Sequence, residues 1–168
     1  MKKLSIIFFI AAFAAVIISF EGCSPNSSIP STPLKSGEME TSVSPFGQFF
    51  ASNTTAIDGP TTYFIAASIK DQAVVDSVVI HILVPKQAAF PYSVDIANDP
   101  IGVMDYCITT NNGCITYQAK QGVANANGTV RITDISSTTI QGTFSGTLPA
   151  EAGSGSVTIS NGSFNASF

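Results

Sequence analysis

Charged side chains are scarce in this chain of 168 residues, tryptophan is absent, and there is one histidine. Seven basic and eleven acidic residues give a formal net charge of −4. The sequence contains no basic patch, which argues against a nucleic-acid partner. The single histidine, His81, has aliphatic neighbours, so we expect a structural strand residue rather than a general base or metal ligand. Without a Gly-x-Ser-x-Gly element or a histidine pair, Ser-His-Asp and metal-dependent hydrolases are poorly supported.

Much of the apolar content lies in the first twenty residues, which have the pattern of a secretory signal peptide. A short positive segment, Met1–Leu4, precedes the apolar run Ile6–Phe20, which ends at Glu21. This run is short for a bilayer-spanning helix, which needs about 20 apolar residues. The sequence therefore predicts an exported protein with a signal peptide over residues 1–22; an uncleaved membrane anchor is the alternative.

The segment Phe20-Glu21-Gly22-Cys23 resembles a bacterial lipobox. Gly22 and Cys23 match that motif, whereas Phe20 stands where Leu is usual and Glu21 where a small residue is usual. In that family signal peptidase II cleaves before the cysteine, which then receives acyl chains. The resemblance implies lipidation at Cys23 and a membrane as partner, because several acyl chains on one residue give stable anchoring.

The residues after the cysteine bear on location by the same resemblance. Ser24 occupies the position where inner-membrane lipoproteins tend to carry Asp, so the outer membrane is favoured. Pro25-Asn26-Ser27 lacks the acidic cluster that resembles a surface-export signal in Bacteroidota. We therefore expect a protein anchored in the outer membrane, with its domain facing the periplasm.

Residues 23–45 are rich in Ser, Pro, Thr and Gly. Four prolines, Pro25, Pro30, Pro33 and Pro45, prevent a regular helix in this segment. The composition predicts a flexible tether, and residues 46–168 are then expected to form a single domain.

From residue 46 onward the pattern is typical of an all-β fold. Short β-branched and aromatic runs are separated by turn residues, and helical apolar spacing is not sustained anywhere. The predicted strands include residues 47–52, 62–70, 77–84, 92–97, 103–109, 114–119, 129–133 and 140–148. The run 77–84 is apolar on both faces, which predicts a central strand covered on both sides. We expect about nine antiparallel strands in a two-sheet sandwich or a flattened barrel.

The last strands are predicted to form a hairpin. Asn161-Gly162 is the preferred sequence for a two-residue type I′ turn. This turn would pair Ile159 with Phe164 and Val157 with Ala166, placing apolar side chains together on one face.

Cys107 and Cys114 remain as a pair once Cys23 is lipidated. In an oxidising compartment a disulfide between them is the expected state. A turn at Asn112-Gly113 would place Cys107 opposite Gln118 instead, so direct pairing needs a turn with Thr110-Asn111 at its centre, or a looser loop. A metal site is the alternative, although no second thiol pair or nearby histidine accompanies it.

The densest acidic stretch offers a second candidate site. Asp95, Asn98, Asp99 and Asp105 are oxygen ligands at the close spacing that Ca²⁺ uses. Asn98-Asp99-Pro100 is also an ordinary turn sequence, and we favour that interpretation. Paired carboxylates for glycoside hydrolysis would have to face each other across a cleft.

The C-terminal part of the chain resembles small, functionally unassigned lipoproteins of Bacteroidota. The resemblance is carried by Gly128-Thr-Val-Arg-Ile-Thr-Asp134, by Ile140-Gln-Gly-Thr-Phe-Ser-Gly146 and by Gly155-Ser-Val-Thr-Ile-Ser-Asn-Gly-Ser-Phe164. It implies an envelope location and a β fold, and that family offers no catalytic residues or cofactors to carry over.

The sequence therefore predicts a non-catalytic binding or interaction module without a cofactor. Its partner is expected to be a small apolar ligand, a glycan or an envelope protein. Exposed aromatic side chains would carry this role, although each candidate also fits a core position: Phe46, Phe49, Phe50, Tyr92 and Tyr106. A hydrolase with paired carboxylates and a purely structural lipoprotein are the alternatives. An apolar cavity inside the barrel would favour ligand transport.

Overall fold

The computed structural model describes residues 33–70, 77–110 and 113–168. These ranges hold eleven β-strands: β1 Glu38–Ser44, β2 Gly47–Ala51, β3 Thr55–Asp58, β4 Thr62–Ile69, β5 Ser77–Pro85, β6 Tyr92–Asp95, β7 Val103–Thr110, β8 Gly113–Lys120, β9 Asn127–Ile135, β10 Thr139–Pro149 and β11 Ser156–Ser167. The all-β prediction is confirmed. Within the same ranges there is no helix that is long and apolar enough to cross a membrane. The predicted signal peptide, the lipidation site Cys23 and the first part of the tether lie outside the described residues.

The strands belong to one eleven-stranded sheet with the order β6-β9-β10-β11-β3-β4-β5-β7-β8, and β1 pairs with both β11 and β2. Every pairing is antiparallel except that of β11 with β3, which is parallel where Ser167 lies opposite Thr55. The prediction of a wholly antiparallel sheet is therefore wrong. The parallel contact forms because the chain enters β3 beside the end of β11, where the Ser167 amide donates to the Thr54 carbonyl at 3.2 Å.

The sheet curls into a half-barrel rather than dividing into two sheets. Beyond the end of β10, Ala150 forms an isolated antiparallel bridge with Tyr117 of β8. The amide of Glu151 also donates to the Thr116 carbonyl at 2.9 Å. These contacts bring the edge strand β8 to the far end of β10, so the concave face encloses the core.

Alternation along the strands separates this core from the outer face. In β5, Val78, Ile80, Ile82 and Val84 are buried. The outward side chains of β5, among them His81, are half-buried. The prediction that this strand is fully covered on both sides is therefore wrong. Its central position is confirmed, because β5 pairs with β4 on one side and β7 on the other.

Strand β1 corrects the predicted tether. The composition of residues 23–45, in which Ser and Pro are frequent, predicts a flexible segment here. The inward side chains of β1, however, alternate as Met39, Thr41 and Val43, and all three are buried. This period-two pattern lets β1 fill the position beside β11, so the folded part of the chain includes Glu38–Ser44.

Strand β11 replaces the predicted C-terminal hairpin. Ser156–Ser167 runs as one strand, which pairs with β10 along its whole length and with β1 from Thr158 to Asn165. Asn161-Gly162 is therefore not a hairpin turn. Both neighbouring strands are long enough to pair with the segments on either side of these two residues, and this pairing selects a continuous strand.

A β-bulge explains why the apolar pattern suggested a turn. Asn161 has a left-handed φ of 53°, and the register with β10 shifts at this point. The extra residue changes the phase of the strand, so Val157 and Ile159 before it and Phe164 and Ala166 after it all face the core. A hairpin would bring the same four side chains to one face, and the local pattern alone does not distinguish the two structures.

Candidate functional site: an apolar cavity

A cavity of about 490 Å³ opens between the β1–β2 hairpin and the inner face of β4, β5, β7 and β8. Most of its lining side chains are aromatic or aliphatic. The lining consists of Val43, Phe46, Gly47, Gln48, Phe49, Ile69, Val78, Tyr106, Ile108, Ile115 and Tyr117. Its volume lies within the range of about 300–1,000 Å³ that is usual for small-molecule sites.

Three aromatic rings form one side of this cavity. Phe46 stacks on Tyr106 with ring centroids 5.8 Å apart, and it meets the edge of Tyr117 at 6.3 Å. Tyr106 and Tyr117 lie opposite each other on β7 and β8, with centroids 6.3 Å apart. Phe46 is 50% exposed although it touches both tyrosines, so it stands at the mouth of the cavity.

Local sequence explains how these side chains reach the cavity. Phe46 lies in the connection between β1 and β2, where Gly47 adopts a φ of +100° that favours glycine. On β7, Tyr106 and Ile108 are two residues apart and therefore share the inner face. Ile108 lies opposite Val78 of β5, which extends the apolar surface across the neighbouring strand.

Among the lining residues that the structure describes, which exclude residues 71–76, none is charged, and the polar side chains are Gln48 and the two tyrosines. Burial, with a smaller contribution from the nearby Tyr117, raises the pKa of Tyr106 to about 12. Within the described part of the chain, neither tyrosine hydroxyl makes a hydrogen bond. The cavity therefore suits an uncharged apolar molecule, with two hydroxyl groups available to a single polar group on it.

Two buried tyrosines predict an alkaline limit to stability. Burial raises the pKa of both Tyr92 and Tyr106 from 10.0 to about 12. Well below pH 10 both phenols are protonated in the folded and unfolded chain. Above pH 10 the unfolded chain loses these protons first, so the free energy of unfolding should fall as the pH rises towards about 12.

Urea unfolding at a series of pH values measures this fall. The fall in the free energy of unfolding should be smaller in the double variant Tyr92→Phe, Tyr106→Phe. An equal fall in both proteins would contradict the raised pKa values of Tyr92 and Tyr106.

The five predicted aromatic candidates separate into two groups. Phe46, Phe49 and Tyr106 line the cavity. Phe50 is 54% exposed and lies outside the lining. Tyr92 is buried elsewhere, and its hydroxyl donates to the Pro85 carbonyl at 2.9 Å, so it is a core residue.

Sequence reasoning missed several lining residues on strands that it had located. Among them, Tyr117 has a detectable signal, since a hairpin of β7 and β8 brings one aromatic residue of each strand onto the same face. Ile69 and Val78 have no such signal, because their contribution depends on which strands are neighbours in the sheet.

Cys107 and Cys114 lie in bonding contact, with Cα atoms 6.1 Å apart. This separation is within the usual range for a disulfide. Thr110 pairs with Gly113, which places Cys107 opposite Thr116 and Cys114 diagonally across the hairpin. The pair lies on the outer face of the two strands whose inner faces carry Tyr106, Ile108, Ile115 and Tyr117 into the cavity.

The acidic stretch forms a turn. Asp95 accepts hydrogen bonds from the Ala97 amide at 3.1 Å and from Asn98 Nδ2 at 2.8 Å. Asp99 Oδ1 accepts from the amides of Ile101 and Gly102 at 2.8 and 2.7 Å. These bonds are typical of Asx turns, which supports the turn interpretation over a Ca²⁺ site. Within the described ranges there is no group of three or more His, Cys, Asp and Glu side chains that could hold a metal ion.

Asp105 and His81 lie opposite each other on the outer face of β7 and β5. Gln118 Nε2 donates to Asp105 Oδ1 at 2.7 Å. Burial raises the pKa of Asp105, while this hydrogen bond and the nearby His81 oppose the rise. The His81 ring packs on Phe64 with centroids 5.3 Å apart, as expected for a structural strand histidine.

Comparison with protein-family models, with curated proteins and with solved structures gives no match to this chain.

Proposed function

We propose that this protein is a non-catalytic envelope module that binds a small, uncharged apolar molecule in the cavity of its half-barrel. The observation that carries the proposal is the lining, in which aromatic and aliphatic side chains surround about 490 Å³ and no described lining residue is charged. A ligand with a carboxylate or an ammonium group would lack an ion-pair partner among these side chains. Its desolvation would be uncompensated, so a neutral ligand is favoured.

The position of the cavity supports binding rather than a purely structural role. A structural core is closely packed and contains few voids larger than a water molecule. Here an opening remains at the mouth, where Phe46 and Ile115 are 50% and 48% exposed. Half-exposed apolar side chains around a cavity are the usual appearance of a binding site.

Two half-exposed phenylalanines allow a matched test of ligand binding. Phe46 lines the cavity, whereas Phe50 lies nearby on β2 but outside the lining. We expect Phe46→Ala to weaken binding of the uncharged fluorescent probe N-phenyl-1-naphthylamine by about tenfold, because an aromatic contact contributes on the order of 1 kcal/mol or more. Phe50→Ala should change the affinity by less than about twofold.

The titration uses the chain from Ser24 onward, because detergent around a lipidated N-terminus would itself take up the probe. Probe fluorescence at increasing protein concentration gives the dissociation constant. Equal affinities of the two variants, or no binding by the folded parent chain, would contradict the proposed function.

The proposal includes an outer-membrane anchor at Cys23, with the domain facing the periplasm. It is supported by the lipobox resemblance and by the apolar run that precedes it. Mass spectrometry of the intact purified protein tests this part separately from ligand binding. We expect an acylated chain that begins at Cys23, and an unmodified chain that begins at Met1 would contradict it.

A further inference from the structure

We propose a second binding site, on the outer face of β6, β9, β10 and β11, for a saccharide that carries a carboxylate. This face contains a shallow depression of about 550 Å³ that shares no residue with the apolar cavity. It is lined by Ser93, Thr129, Arg131, Thr143, Phe144, Ser145, Asn161, Gly162 and Ser163. Because Phe144 is buried towards the core, hydroxyl groups, one amide and one guanidinium group provide the exposed surface.

Arg131 is the only arginine in the sequence, and its side chain is exposed in this depression. Within the described residues its guanidinium group makes neither an ion pair nor a hydrogen bond. Two carboxylates lie near the depression. Asp95, on the neighbouring strand opposite Thr129, is engaged in the Asx turn with Ala97 and Asn98. Glu40 of β1 lies opposite Ser163 and accepts a hydrogen bond from its hydroxyl group at 3.4 Å. The guanidinium group is therefore free to bind an external carboxylate through two parallel hydrogen bonds.

The strand register arranges the hydroxyl groups around Arg131 in rows. Ser93, Arg131, Thr143 and Ser163 lie side by side across four strands. Neighbouring strands are about 4.8 Å apart, so this row presents polar groups at regular short intervals. Thr129 and Ser145 form the next row on the same face. Such a surface offers several donors and acceptors to the hydroxyl groups of a sugar.

The bulge in β11 adds an amide to this surface. Asn161 holds its left-handed φ of 53° beside Ser145, and both residues line the depression. Bulges commonly re-aim a side chain next to a functional site. Gly162 lies in the same lining, and a Cβ at this position would come within 2.6 Å of the Phe144 carbonyl oxygen. A side chain there would disturb the strand pairing beneath the depression.

The mixture of groups indicates the class of ligand. A neutral sugar would leave the guanidinium group without an ion-pair partner, and a simple inorganic anion would leave the hydroxyl rows unused. A polyanion held by general electrostatic attraction is disfavoured by the net charge of −4. A sugar acid satisfies both the guanidinium group and the rows of hydroxyl groups.

Calorimetric titration of the full-length protein in detergent with trigalacturonate tests this site. We expect Arg131→Gln to weaken binding by about tenfold or more, since hydrogen bonds to charged groups contribute strongly. Arg131→Lys should retain part of the affinity, because lysine keeps the charge but loses the planar fork. Asn161→Gly keeps the backbone conformation and should weaken binding through loss of the amide alone.

Lys120→Gln is the matched control, because it removes the same charge from an exposed position on β8. It should leave the affinity unchanged within about twofold. Circular dichroism of each variant establishes that it is folded. The proposal is overturned if Arg131→Gln and Lys120→Gln bind equally, if neutral galactotriose or inorganic phosphate binds as tightly as trigalacturonate, or if the folded parent protein does not bind trigalacturonate. These results do not depend on the apolar cavity, whose probe is uncharged.

Discussion

Replacing Phe164 with alanine is expected to lower the free energy of unfolding by about 3–5 kcal/mol. Phe164 is 2% exposed and packs on Phe144 with ring centroids 6.1 Å apart. It also covers Gly142, where a Cβ would approach Phe164 Cζ to 2.6 Å. The ring thus fills the space left by a glycine on the neighbouring strand, and the surrounding backbone has little freedom to collapse into the cavity that alanine would leave.

Urea unfolding followed by circular dichroism measures this loss, with Phe50→Ala as the control. Phe50 is 54% exposed, so its truncation should change the free energy of unfolding by less than about 1 kcal/mol. Similar midpoints for the two variants, at unchanged dependence on urea, would contradict the placement of β11 at the centre of the sheet.

Loss of the Cys107–Cys114 link is expected to produce the second large effect. The two residues are seven positions apart in the sequence, and closing a loop of this length stabilises a protein by roughly 2.5 kcal/mol in the chain-entropy description. The link fastens two adjacent strands that together carry four lining residues of the cavity. We therefore expect the double variant Cys107→Ser, Cys114→Ser to unfold at lower urea concentration and to bind the apolar probe less tightly.

Comparison of oxidised and reduced protein provides the measurement. Reductant should shift the unfolding midpoint of the parent chain towards that of the double variant, and it should leave the double variant unchanged. A parent chain whose midpoint is insensitive to reductant, or whose mass shows two free thiols, would contradict the predicted bridge.

The sequence predicts the strands that show a local alternation of apolar and polar residues. It misses the strands whose formation depends on pairing with segments distant in sequence. Strands β4, β5 and β7 lie close to their predicted positions because their apolar residues alternate between turn residues. β1 was missed because its alternation lies in a segment dominated by Ser and Pro. β3 has four residues, and only Ala56 is buried, so it has too little pattern to detect.

The continuous β11 shows a different limit. A left-handed residue at Asn161 is compatible with a hairpin turn and with a bulge, and both place Ile159 and Phe164 on the same face. The choice is made by the strands on either side, β1 and β10, which are distant in sequence. The left-handed conformation at such a position can therefore be predicted from the local sequence, whereas the choice between a hairpin and a continuous strand cannot.

The candidate site is predictable to a similar extent. Phe46, Phe49 and Tyr106 were identified as aromatic candidates, and these three line the cavity. Their separation from Phe50 and Tyr92 required the sheet order, because alternation does not show which strands curl around the same space. Arg131 was not singled out, since its significance comes from the hydroxyl-bearing residues that three neighbouring strands place beside it.

The most direct test of the account is to locate the bound apolar probe by nuclear magnetic resonance. Isoleucine methyl groups are well placed reporters, because Ile69, Ile108 and Ile115 line the cavity, whereas Ile57 and Ile140 do not. Titration of the chain from Ser24 onward with N-phenyl-1-naphthylamine should shift the methyl signals of the three lining residues in proportion to occupancy, and leave those of Ile57 and Ile140 in place. Shifts at Ile57 or Ile140 without shifts at the lining residues, or no shifts at saturating probe, would contradict a ligand site in the half-barrel.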